Sequence, residues 1–233
     1  MQKEKIKKVL KILFRILSAF FISSILAVLL LAFLPPVTTA FIVIDELTNK
    51  DKYEVKYQWV NWENISPYVP LAAICAEDQK FTEHFGFDLE SIEEAWDDRQ
   101  KGKRYRGAST ITQQVAKNLF LWPGKSFFRK GLEAYFTFLI EIFWSKKRIL
   151  EMYVNIAQFG KGIYGVQAAG QKYFKKDASK IAYYQAALMG AVLPNPVRLK
   201  INRPSNYVKE RTQWILLQMD QLGWETYIKK NVE

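Results

Sequence analysis

Apolar and polar residues divide the 233-residue chain into one unbroken apolar run and a long body with helical spacing. From Ile16 to Leu34 no residue is charged, and Leu, Ile, Phe, Val and Ala make up nearly all of the segment. A helix over those positions is about 28 Å long, close to the hydrocarbon thickness of a bilayer. Pro35-Pro36 ends it. The next stretch, 37–65, reads as an extended connector, in which Phe41-Ile42-Val43-Ile44 has the β-branched composition of a short strand. Beyond it the spacing is helical and the start signals recur. Ser66-Pro67 predicts a helix start with Ser as cap. Asp88 precedes a helix through Trp96, Ser109 one over 110–121, and Ser126 one over 127–144. Further helices are expected over 146–157, 164–174, 178–192 and 205–221, the last capped by Ser205. No alternating stretch is long enough for a sizeable sheet, so the body is expected to be one mainly α domain.

Charge changes the reading of the two ends of this pattern. Lys3, Lys5, Lys7, Lys8, Lys11 and Arg15 precede the apolar run, which keeps the N-terminus cytoplasmic by the positive-inside rule and exports everything after Pro36. A cleaved signal peptide has a shorter apolar core and a small-residue cleavage site, and Val37-Thr38-Thr39-Ala40 is a poor match. The pattern therefore predicts an uncleaved anchor. The rest of the net charge of +11 is spread along the body. No nucleic-acid-binding motif accompanies it, and anionic lipid or a phosphorylated substrate accounts for it equally well. The single cysteine, Cys75, excludes an internal disulfide and a cysteine-cluster metal site, and its apolar neighbours predict burial. The single histidine, His84, would have to serve any Ser-His-Asp triad.

Four blocks carry candidate chemistry. In the first, Glu77-Asp78 closes an apolar helix ahead of the aromatic loop Phe81–Phe87 that holds His84. A carboxylate at an apolar wall can acquire a raised pKa and act as a general base; a polar helix end is the alternative. In the second, a loop with Gly102 and Gly107 opens a helix at Ser109-Thr110-Ile111-Thr112-Gln113-Gln114. Its N–H groups, with the hydroxyls of Ser109 and Thr110, can form an anion site, with Lys117 two turns along. Gln113 and Gln114 can bracket sugar hydroxyls or amides, and an ordinary capped helix is the alternative. The third block puts Arg129 and Glu133 four residues apart on a helix that is apolar on nearly every side. Such charges either pair at the surface or line a cleft. In the fourth, Ile149, Leu150, Tyr153 and Val154 have core spacing, and Glu151 and Asn155 are candidate internal polar props. Between the second and third blocks, Leu119-Phe120-Leu121-Trp122-Pro123-Gly124 turns back into Phe127-Phe128 beside Lys117, Lys125, Arg129 and Lys130. That tip either rests in a headgroup region or packs into the core.

In this order and at these separations the blocks resemble the glycosyltransferase family 51 domain, the peptidoglycan glycosyltransferase of penicillin-binding proteins and monofunctional enzymes. The matching residues are Glu77-Asp78 with Phe81 and His84-Phe85-Gly86; Gly107 with Ser109-Thr110-Ile111-Thr112-Gln113-Gln114 and Lys117-Asn118; Arg129-Lys130 with Glu133; and Ile149-Leu150-Glu151 with Tyr153 and Asn155. Ala168-Ala169, Tyr173-Phe174 and Leu193-Pro194-Asn195-Pro196 also fit. Arg106, Val154 and Gln158 depart from the common pattern, and none is one of the matched carboxylates. The chain contains no Ser-x-x-Lys with which a transpeptidase domain could begin.

The resemblance implies a mainly α, lysozyme-like, two-lobed domain over 66–233, after a basic tail (1–15), an anchor (16–36) and the connector (37–65). It implies a growing glycan on undecaprenyl pyrophosphate as donor, lipid II as acceptor, and inversion from α to β. Glu77 would be the base and Glu133 the second catalytic carboxylate, orienting its neighbours or holding a metal. Lys117, Lys125 and Arg129 would hold the pyrophosphate. Ser109, Thr110, Gln113, Gln114, Asn118 and Lys130 would complete the substrate site. Mg²⁺ or Mn²⁺ is the cofactor expected, with no organic cofactor. The expected partners are the lipid-linked substrates, the inner membrane and other wall-synthesis and cell-division proteins, with no nucleic acid. A muramidase-like hydrolase would also use two carboxylates but needs no pyrophosphate-binding cations. An inert membrane scaffold would need neither.

Overall fold

The computed structural model describes residues 2–101 and 109–232. The positions of Gly102, Arg106 and Gly107 lie outside the described residues. The chain separates into two units, 1–36 and 37–233. The first is a single helix, α1 (Gln2–Phe33), which covers the apolar run and is long and apolar enough to cross a membrane. It stops just before the two prolines, as their missing N–H groups and ring sterics require.

The second unit opens with a departure from the sequence pattern. Residues Ala40–Asn49 form helix α2 instead of carrying a strand at Phe41–Ile44. Thr39 explains the helix start, because its hydroxyl accepts the Ile42 N–H as an N-cap. Ile42 is buried, and α2 packs on α5 (Ile111–Phe120), so tertiary contact overrides β-branched propensity. The chain then supplies β1 (Lys56–Tyr57), which pairs in parallel with β3 (Ile163–Tyr164). β3 is also antiparallel to β2 (Gln158–Gly160), giving a three-stranded sheet in the order β1-β3-β2. Asp45 ties α2 to this sheet by accepting hydrogen bonds from the hydroxyls of Tyr53 and Tyr164.

The remaining helices fall into two groups. In one, α3 (Tyr68–Glu77) packs against α9 (Tyr183–Val192), α10 (Asn206–Gln221) and α11 (Glu225–Asn231). α3 is almost wholly apolar, and Leu71, Ala72 and Ile74 have no exposed surface. Gly190 of α9 makes the close approach possible, since a Cβ there would stand 3.0 Å from the Ala72 carbonyl. In the other group, α5 packs on α2 and on α6 (Phe127–Phe143). Helix α7 (Lys146–Ile156) touches both α5 and α3 and joins the two groups, giving the two-lobed, mainly α fold the resemblance implies. α4 (Leu89–Gln100) follows the loop Phe81–Phe87, capped by Asp88 through the Ser91 N–H.

Several boundaries differ from the sequence pattern. Ser66 is not a cap: its hydroxyl donates to the Ile181 carbonyl, and Pro67 precedes α3. The cap of α5 is Thr110, one residue after Ser109. The 164–174 helix is reduced to α8 (Val166–Ala169) and a wide π turn over Gly170–Phe174. The 178–192 helix breaks before Tyr183, and α11 had no signal in the sequence pattern. Cys75 is buried, and Asn155 and Glu151 are the internal props expected of them. Asn155 exchanges two hydrogen bonds with the backbone of Val60, while Glu151 accepts the Trp62 N–H.

Candidate active site

The junction of the two helix groups is where the first two sequence blocks meet. Glu77 ends α3 and is half-buried, facing α5, where the Gln114 amide donates to its Oε2 at 2.7 Å. The Tyr153 hydroxyl of α7 donates in turn to the Gln114 carbonyl at 3.3 Å, fixing which end of the amide faces the carboxylate. Burial pushes the Glu77 pKa up; Gln114, Arg211 and Lys117 pull against that, and Asp78 adds to it. A carboxylate held in this balance takes up a proton more readily than a solvated one, which suits a general base.

Asp78 has a different task. Its Oδ2 accepts the Ile111 N–H at 2.9 Å, and its Oδ1 lies 2.8 Å from His84 Nε2. The N-terminus of α5 is therefore already neutralised by a carboxylate of the protein itself. Thr110 and Gln113 are both buried and close a capping box, and the Thr110 hydroxyl also donates to the Gly86 carbonyl. Gly86 has a φ of +74°, and a Cβ there would run into Glu141 and Thr137. Thr110 and Gln113 thus support the loop from beneath, with the Thr110 hydroxyl and the Gln113 side-chain carbonyl engaged within the protein. Ser109 is exposed at the edge of the described residues.

The cations gather at the other end of α5. Lys117 is half-buried in its last turn, with its ammonium 5.6 Å from the Phe41 ring centroid. Burial pushes its pKa down; Glu133 and Glu77 pull it up, and Arg129 and Lys130 push it further down. Lys117 thus senses both candidate carboxylates and both cations of the third block, which places all five groups in one electrostatic neighbourhood. Glu133 is 3% exposed, and its two oxygens accept separately from Arg129 (2.7 Å) and Lys130. The bland alternative of a solvated surface pair therefore fails for Arg129 and Glu133. The Arg129 Nε is buried with no partner. Asn118 is half-buried beside Lys117, and Lys125 is exposed at the tip between α5 and α6.

Glu133 is the carboxylate that would hold a divalent cation here. Both Glu133 oxygens are engaged by cations, and no group of three carboxylate, His or Cys side chains converges among the described residues. With both oxygens held by cations, Glu133 orients Arg129 and Lys130, and a Mg²⁺ there would draw its other ligands from substrate phosphates.

Some contributing residues carry no local signal. Thr112 donates to Glu141 at 2.6 Å, and Lys146 donates to Glu141 and to the His84 carbonyl, which braces the loop after Glu77. Arg211, on α10, donates to the Ala76 carbonyl. These partners lie 29 to 135 residues apart in the chain, except for the Lys146–Glu141 pair, and only the fold brings them together.

A carboxylate with a raised pKa near the half-buried Lys117 and Arg129, on a helical frame, is the arrangement of an enzyme site that handles an anionic substrate by acid–base chemistry. Residues 43–220 match the transglycosylase family model. The chain is 49% identical over 227 residues to the biosynthetic peptidoglycan transglycosylase of Shewanella oneidensis, covering 97% of each. It is 50% identical to the enzyme of that name from Pseudomonas putida, over 92% of each chain. With that from Yersinia pseudotuberculosis it shares 51%, over 88% of this chain and 87% of the relative. The chain belongs to the transglycosylase family and is a peptidoglycan glycosyltransferase of cell-wall biosynthesis.

Proposed function

We propose that the enzyme polymerises lipid II into β-1,4-linked glycan strands, using a glycan on undecaprenyl pyrophosphate as donor. The acceptor's 4-hydroxyl attacks the donor's anomeric carbon from the face opposite the pyrophosphate. The new C–O bond forms as the bond to the pyrophosphate oxygen breaks, and the configuration inverts from α to β. The hydroxyl proton passes to Glu77, on Oε1, since Oε2 is held by Gln114. Lys117, Arg129 and Lys130 neutralise the departing pyrophosphate, with Lys125 on its path and Glu133 fixing the geometry of the cations. Ser109, Gln114 and Asn118 contact the sugars. The observation that carries this reading is the buried Glu133 held by Arg129 and Lys130 on α6, the helix packed against the one that carries Lys117. A hydrolase of finished wall would have no use for those cations.

The substrate's lipid tail stays in the bilayer, and α1 is suited to hold the enzyme at that surface, raising the local concentration of site and substrate. The basic residues before the span orient it with the N-terminus in the cytoplasm and the 37–233 unit outside the inner membrane. The tip between α5 and α6 adds a second contact: Phe127 is 99% exposed, Phe128 71% and Trp122 41%, beside Lys125 and Lys130. Leu119 and Leu121 of the same stretch are buried, and Phe120 stacks on Phe136, so only the turn itself is offered to lipid. Wall-synthesis and cell-division proteins are the partners this location implies. The decisive measurement is incubation of the purified full chain with labelled lipid II. Polymer that lysozyme digests is expected; unchanged lipid II, or cleavage of finished wall instead, would overturn the reading.

A further inference from the structure

Helices α10 and α11 hold the segment that carries Glu77 by three cross-links. Arg211 Nη2 donates to the Ala76 carbonyl at 2.8 Å, Gln79 donates to Gln218 at 2.9 Å, and the Thr82 and Tyr227 hydroxyls are 3.0 Å apart. Arg211 differs from the other two. Its guanidinium sits on the Trp214 ring side, 5.8 Å from the centroid, and its Nε is buried without a partner. It forms no salt bridge with a carboxylate among the described residues, so its charge has no neutralising partner in direct contact.

The groups acting on Glu77 are Asp78 just past the end of α3, Gln114 and Lys117 on α5, Tyr153 on α7 and Arg211 on α10. Gln114 and Tyr153 are neutral, and Asp78 is a like charge. Lys117 is shared with Glu133, and under the proposed function a pyrophosphate would claim it as well. Arg211 is left as the cation whose charge stays with Glu77 throughout, and a guanidinium cannot lose its proton in the working pH range.

We infer that Arg211 is a positioning residue for the base: it pins the last turn of α3 through the Ala76 carbonyl and keeps a permanent positive charge beside Glu77. This rests on Glu77 being the base and names a residue outside the four blocks that the sequence pattern singles out. Its positive charge favours the carboxylate form, the form that can accept the hydroxyl proton. Removing the charge should therefore leave Glu77 protonated to a higher pH. The acid limb of the rate profile should move up, and activity should return as the pH rises.

The test is the pH profile of kcat/KM for lipid II polymerisation by the full chain, with Arg211→Gln and Arg211→Lys beside the wild type. Melting temperatures at each pH report on folding. Arg211→Gln, which keeps an amide donor and loses the charge, is expected to shift the acid limb upward by about one pH unit. Below the limb its rate falls about tenfold, and on the alkaline plateau it stays within about threefold of wild type. Arg211→Lys, which keeps the charge, should hold the limb at the wild-type position even where packing lowers the rate. If Arg211→Gln lowers the rate equally at every pH, or Arg211→Lys shifts the limb as far as Arg211→Gln does, Arg211 is only a staple between α10 and α3. If neither substitution changes rate or profile, it has no part in catalysis. Wild-type protein that fails to polymerise lipid II would count against the proposed function and not against this residue alone.

Discussion

Glu133 and Phe127 stand six residues apart on helix α6, and each occupies the environment usual for the other. The carboxylate is 3% exposed and the phenyl ring 99% exposed. Burying an ionised carboxylate requires partners, and Arg129 and Lys130 supply them from the preceding turn. Exposing Phe127 and Phe128 forgoes about 1.5–3 kcal/mol of burial for each ring. One helix thus carries both departures from apolar-inside, polar-outside, the first buried between its own cations and the second at the exposed first turn. The proposed function would use both, because the polar end of a lipid-linked substrate would enter protein while its tail stays in the bilayer. Folding stability alone would favour neither.

The deep end of this comparison should break first and hardest. Glu77→Gln should abolish polymerisation, with a loss of about 10²–10⁴ in rate, because a general base is removed while Gln114 can still hydrogen-bond the new amide. Retention of more than about a tenth of wild-type turnover would take Glu77 out of that role. Lys117→Ala should lower the rate at limiting lipid II by about one to two orders of magnitude through loss of a charge-assisted contact to phosphate. Normal use of lipid II by that variant would leave Lys117 as a structural partner of the two carboxylates.

The rim should respond by partition and not by chemistry. Protein lacking residues 1–36 is expected to bind liposomes at low salt, and Trp122→Ser with Phe128→Ser should weaken that binding at least about tenfold without unfolding it. Sedimentation with vesicles measures this, and absence of binding by the truncated wild type would make the tip a solvent-facing turn.

The smallest effect expected is on stability, and its sign is informative. The Glu77 pKa is raised in the folded protein, so the folded state gives up its proton less readily than the unfolded chain. The corresponding stability is fully present below the ordinary Glu pKa and is lost as the pH rises towards the folded value. Glu77→Gln should therefore match wild type in acid and be at least as stable above neutral pH. Urea midpoints at several pH values would show it. A variant less stable at pH 8 than wild type would mean that its carboxylate is stabilised, not strained, where it sits.

Much of this was legible in the chain itself. The span over 16–34, the helix starts at Asp88, Ser126 and Ser205, and the chemical blocks around Glu77, Lys117 and Glu133 all depend on local patterns. Hydrophobic period, cap residues and motif spacing report on neighbours within a few turns, which is why these features could be read. Where two local rules competed, the sequence pattern gave the wrong element. Phe41–Ile44 has strand composition, yet Thr39 can cap a helix, and the α5 surface decided between them. Which polar groups are free for a substrate was equally invisible. Thr110 and Gln113 have the chemistry to bind sugar but are taken up by the cap and by Gly86, while Asp78 occupies the helix N-terminus. Arg211 reaches Ala76 across 135 residues. The sequence by itself determined the apolar span, the helical class and which carboxylates and cations are the candidates for chemistry, because each rests on residue type and short-range spacing. Only the tertiary structure decided which of those groups face one another and which aromatics stay outside, because burial and long-range hydrogen bonds exist only once the helices have packed.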